Sequence, residues 1–95
     1  MGKGFFEYKA KKGLIRVNVT VSNKIIKDIR FSGDFMLHPE DVIWELENAL
    51  KGKTIDVEKL RKTVEEVFQD VVFVGSCVDD FVYVLGKAVE VASND

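Results

Sequence analysis

From Leu14 to Val21 apolar and polar residues alternate. Ile15, Val17, Val19 and Val21 fall on one face; Arg16, Asn18 and Thr20 fall on the other. A period of two marks a half-buried strand with a wet side. A shorter aromatic run, Phe5 to Ala10, comes before it, and Lys11-Lys12-Gly13 reads as the turn between them. Ser22-Asn23 is the next two-residue turn, because Asn accepts a positive φ. The strand after it, Ile25 to Phe31, is expected to place Ile25, Ile29 and Phe31 on one face with Lys27 between. The first half is therefore a three-stranded antiparallel meander.

In the second half the period lengthens to that of a helix. Pro39 suits a first helical position, and Glu40 and Asp41 complement the helix dipole. Val42, Ile43, Leu46, Ala49 and Leu50 then make one apolar stripe, with Gly52 as the residue past the C-cap. Asp56 is the cap of a second helix, with the stripe Val57, Leu60, Val64, Val67 and Phe68. Ser76 with Asp79 forms a capping-box pattern that opens a third helix. Its inward residues are Val78, Phe81, Leu85, Ala88, Val89 and Ala92; Val82, Val84 and Val91 widen the stripe. Residues 71–75 fit a helix end, a turn or a short strand. A sheet with one apolar face needs a cover, which three helices supply. The expected fold is a two-layer α+β domain over residues 1–95, in the order β-β-β-α-α-α.

Composition narrows the function classes. The 95 residues suffice for one domain, and 46% hydrophobic with 32% charged is an ordinary globular balance. A net charge of −2, with Lys and Arg dispersed, is not the footprint of a nucleic-acid binder. Apolar runs such as Val71 to Val74 are too short to span a bilayer. Met1 leads straight into charged residues, so no signal peptide is expected, and the single Cys fits a reducing cytoplasm.

Candidate chemistry is sparse. Cys77 falls in the first turn of the third helix, where the dipole favours a thiolate, yet it lies on the apolar side beside Phe81, which favours a buried structural role. His38, the only histidine, has no metal-ligand spacing around it, so no metal is expected. Ser32-Gly33-Asp34 lacks the glycines and lysine of a phosphate loop, and reads as a glycine in an unusual conformation with Asp34 hydrogen-bonding nearby amides. Trp44 stands opposite the Val42/Leu46/Ala49 stripe, among Glu40, Glu47, Asn48 and Lys51. An aromatic on a polar face is either covered by a terminus or kept for a partner. No Ser-His-Asp set, CxxC or dinucleotide fingerprint is present.

The run "GLIRVNVTVSNKIIKDIRFSGDFMLHPEDVIWELENALKGK" resembles the C-terminal accessory domain of lipoate–protein ligases. The likeness rests on a strand reading I-K-D-I-R-F-S-G-D-F (Ile26 to Phe35), the hydrophobic step Met36-Leu37, and an acidic helix ending at Leu50 and Gly52. "VEKLRKTVEEVF" and "GSCVDDFVYVLGKAV" look like the closing helices, so the resemblance extends over roughly residues 5–92. It implies the split arrangement found in archaea, with this chain as the separate small subunit of a heterodimer. ATP, Mg and lipoate would then sit on the catalytic subunit, which makes lipoyl-AMP, and no cofactor is expected on this chain alone. The acceptors would be lipoyl domains of 2-oxo-acid dehydrogenase E2 or the glycine-cleavage H protein. Partner contact is expected at Arg30, Ser32, Gly33, Asp34, Phe35, His38 and Trp44, with no catalytic residue. Two other readings stand beside it: a sulfur carrier or iron–sulfur assembly protein using Cys77, and a generic interaction module.

Overall fold

Strand β2 (Gly13–Ser22) lies between β1 (Gly2–Ala10) and β3 (Ile25–Asp34), and both neighbours are antiparallel to it. The structure, a computed structural model, describes residues 2–10, 13–34, 36–39, 41–74 and 78–93. The expected alternation on β2 holds, with Ile15, Val17, Val19 and Val21 all buried. Helices α1 (Val42–Leu50), α2 (Val57–Val67) and α3 (Val78–Ser93) follow. α3 lies across β1 and β2, α1 against β3, and α2 packs on both other helices. The α+β plan of three antiparallel strands and three helices is thus the one observed. No helix among the described residues is long and apolar enough to cross a membrane.

Phe81 centres the core, with ring centroids 5.1 Å from Phe68 of the α2 C-cap and 5.9 Å from Phe31 of β3. Leu60, Val64 and Phe68 bury the α2 stripe, and Asp56 caps the helix by accepting from the Glu58 amide at 3.0 Å. Val57, expected inward, is 55% exposed in the first turn of α2. On α3, Val84 is fully buried while Val91 remains half exposed.

Several expectations shift. The β2–β3 turn is Asn23-Lys24, both with positive φ (54° and 61°), the pairing that matches hairpin twist. Thr20 pairs with Asp28 but Val21 pairs with Ile26, so Lys27 bulges out of the ladder. The bulge resets the alternation: Ile26 enters the core with Ile29 and Phe31, and Ile25 is only half buried. α1 begins at Val42 with Asp41 at the N-cap, three residues after Pro39. The Met36-Leu37 step is itself a strand, β4 (Met36–His38), and residues 72–74 resolve as its antiparallel partner β5 (Val72–Val74).

The sheet's two edges are treated differently. Along β3, Gly52 (φ 86°) donates its amide to the Ile26 carbonyl at 2.8 Å, Ile26 donates to Lys53 at 2.9 Å, and Ile55 donates to Lys24 at 3.0 Å. The α1–α2 connection therefore satisfies the start of that edge. The outer edge of β1 has no such cover among the described residues.

Candidate functional site

The motif strand β3 separates its residues by parity. Ile29 and Phe31 point into the core, while Arg30, Ser32 and Asp34 are exposed on the face that no helix covers. Pairing extends them into rows across the sheet: Arg30 beside Asn18 and Phe5, Ser32 beside Arg16 and Glu7, Asp34 beside Leu14 and Lys9. Arg16 donates to the Glu7 carboxylate at 2.8 Å within the middle row. The open face is thus polar and charged, with half-exposed Phe5 as its large apolar member.

Gly33 has a structural reason. Its φ is 129°, and a Cβ there would stand 2.1 Å from the Leu14 carbonyl oxygen and 2.9 Å from its carbon. Only glycine lets β3 stay paired with β2 through that position. Gly33→Ala should cost about 1–3 kcal/mol and free the last β2–β3 pairs. A lower melting temperature with faster exchange of the Leu14 and Ile15 amides would show it.

α1 is tied to this strand by a contact that sequence reasoning missed. The Glu47 carboxylate accepts a hydrogen bond from the Phe31 amide at 2.7 Å, across the covered edge of β3. Trp44 lies three residues earlier, so its side chain emerges one turn away on the same flank. It is 67% exposed, as its place on the polar face of α1 suggested. Glu47→Ala would leave the Phe31 amide without its acceptor and lower stability by about 1–3 kcal/mol. Glu47→Gln keeps an oxygen there and should retain most of it; chemical denaturation of the two variants separates these outcomes.

Of the other expected site residues, His38 belongs to β4, opposite Val72, rather than to the start of a helix. Phe35, Ser76 and Cys77 lie outside the described residues, and with them the capping box and the thiol. Among the described residues no three His, Cys, Asp or Glu side chains gather as metal ligands. A groove of about 600 Å³ runs along the outer side of α3, past Val57, Arg61, Asp79, Tyr83 and Lys87, and shares no residue with the motif. At the motif, the arrangement offers hydrogen-bonding groups, a guanidinium and an exposed indole on rigid elements, which is the equipment of a docking surface.

Comparison with known proteins agrees with the motif. The family model described as bacterial lipoate protein ligase C-terminus matches residues 6–85. Lipoate-protein ligase A subunit 2 of Thermoplasma acidophilum is 43% identical over 79 residues, 82% of each chain. A solved structure of an archaeal bi-partite lipoate protein ligase and its E2 lipoyl domain, also from Thermoplasma acidophilum, contains a chain that superposes with a TM-score of 0.81. The match is at 40% identity over 87% of this chain and 93% of that one. With the family model spanning most of its length, the chain belongs to the lipoate–protein ligase C-terminal family.

Proposed function

We propose that this chain is the accessory subunit of a two-part, archaeal-type lipoate–protein ligase, and that the catalytic subunit carries the reacting groups. The observation that carries this reading is the match to a ligase subunit 2 over 82% of both chains. The reaction is the ATP-dependent activation of lipoate to lipoyl-AMP, in the cytoplasm, before transfer to a lysine of a lipoyl-acceptor domain. Activation joins two anions, so they must be held in line and away from water. A second domain can close a site that the first leaves open. ATP, Mg and lipoate reside on the catalytic subunit, and this chain acts by shaping that subunit's site. The docking surface is the Arg30–Ser32–Asp34 row of β3 together with Trp44, continuing through Gly33 toward Phe35 and His38. The acceptors are E2 lipoyl domains of 2-oxo-acid dehydrogenases and the glycine-cleavage H protein.

Association is the first test. Mixed with a lipoate ligase catalytic subunit of the same source, the chain should elute with it as a stable complex. Separate elution at micromolar concentrations would remove the basis of the reading.

A further inference from the structure

The open face of the sheet has the opposite sign to the chain. The whole chain carries a net charge of −2. On the face that no helix covers, Lys3, Lys9, Arg16 and Arg30 outnumber Glu7, Asp28 and Asp34. Two of these carboxylates are already matched. Glu7 accepts from Arg16 at 2.8 Å, and Asp28 stands 3.5 Å from the Lys51 ammonium of α1. Asp34 is four positions along β3 from Arg30, about 13 Å at the rise of a strand, and its row across the sheet leads to Lys9 instead.

Arg30 is thus left without an acid partner among the described residues. The other two arginines each have one: Arg16 in Glu7, and Arg61 in Asp79 at 3.0 Å. Nor do its neighbours shield it. Asn18 beside it and Ser32 two positions on are shorter side chains, and all three residues are exposed. An exposed guanidinium on a rigid strand offers a planar fork, which a carboxylate fills with two parallel hydrogen bonds. Phe5, 49% exposed, ends the same row. It lies two strands away, about 10 Å at the spacing of a sheet. The surface that complements this face therefore presents an acid, with an apolar side chain about 10 Å from it.

We infer that Arg30 is the steering contact of the open face, and that it meets an Asp or Glu carboxylate on an acidic patch of the catalytic subunit. Resting on the ligase reading, this names the chemistry of the partner at the docking surface proposed above. The test is the rate of association with the catalytic subunit of the same source, by stopped flow, with the folding of each variant checked by circular dichroism. At about 0.01 M salt, where charges act over about 30 Å, Arg30→Glu should slow association roughly tenfold, and at about 0.5 M salt the difference should nearly vanish. Arg30→Lys keeps the charge and should stay within about twofold of the native rate. Lys62→Glu makes the same change of net charge on α2, which packs on the other helices and not on the sheet. It should also stay within about twofold. Association at the native rate in Arg30→Glu at low salt, or equal slowing by Arg30→Glu and Lys62→Glu, would overturn the proposal while the ligase reading stands, because the two chains still bind. No complex with the native chain would overturn both.

Discussion

Gly4→Ala should remove a large share of the stability of the domain. A Cβ at Gly4 would lie 2.0 Å from the Ala88 carbonyl oxygen and 2.9 Å from the Ala92 amide nitrogen, both backbone atoms of α3. No rotamer change relieves such a contact, so the helix must move. α3 carries Phe81, Val84, Leu85, Ala88, Val89 and Ala92 into the core, and all of them shift with it. Overpacking against flexible side chains costs about 1–3 kcal/mol, and a rigid backbone raises that. A loss of about 3–5 kcal/mol is expected, a large share of the 5–15 kcal/mol typical of a whole domain. At roughly 4–8 °C per kcal/mol for a domain of this size, the melting temperature should fall by about 15 °C or more. Gly86→Ala is the control. Its Cβ position, on the same helix, meets open space beyond the helix's own backbone. Alanine there should stabilise by about 0.5–1 kcal/mol through helix propensity. Equal melting temperatures for native and Gly4→Ala would mean that α3 does not rest on β1 as described.

Trp44→Ala should separate folding from docking. The side chain is exposed and makes no hydrogen bond among the described residues, so stability should change by no more than about 0.5 kcal/mol. If the indole is an anchor in the catalytic subunit's surface, its loss should cost about 2–4 kcal/mol of binding, or roughly 30- to 1,000-fold in Kd. Arg30→Ala, also exposed, should weaken binding less, because a rim charge acts more on the rate of encounter. Titration calorimetry with the catalytic subunit measures both. Unchanged affinity in Trp44→Ala, Arg30→Ala and Asp34→Ala together would move the docking surface elsewhere.

What could be read from the sequence was what local spacing decides. The period-two pattern of β2 was legible because each inward residue answers to its neighbours two positions away. Asp56 and the Leu60/Val64/Phe68 stripe were legible for the same reason at helical spacing. The features that were not legible depend on a partner distant in the chain. Ile26 replaces Ile25 in the core because of a bulge set by pairing with Val21. β4 and β5 are three residues each and are strands only because they pair with one another across a long stretch of sequence, Met36 with Val74 and His38 with Val72. Glu47 looked like one more charge on a polar face; only the edge position of β3 shows why its carboxylate is there. At the candidate site, the unusual conformation expected of Gly33 is present, and it has its cause in the Leu14 carbonyl. Trp44 was legible as lying opposite the stripe of α1, whereas its exposure, rather than cover by a terminus, depends on how the rest of the chain packs.

The accessory-subunit reading makes one demand above the others: activation should need this chain. The direct measurement is lipoate-dependent ATP–pyrophosphate exchange by the catalytic subunit, with and without the chain added. The account predicts exchange when both are present and only background with the catalytic subunit alone. Full exchange by the catalytic subunit alone, unaltered by the added chain, would contradict it.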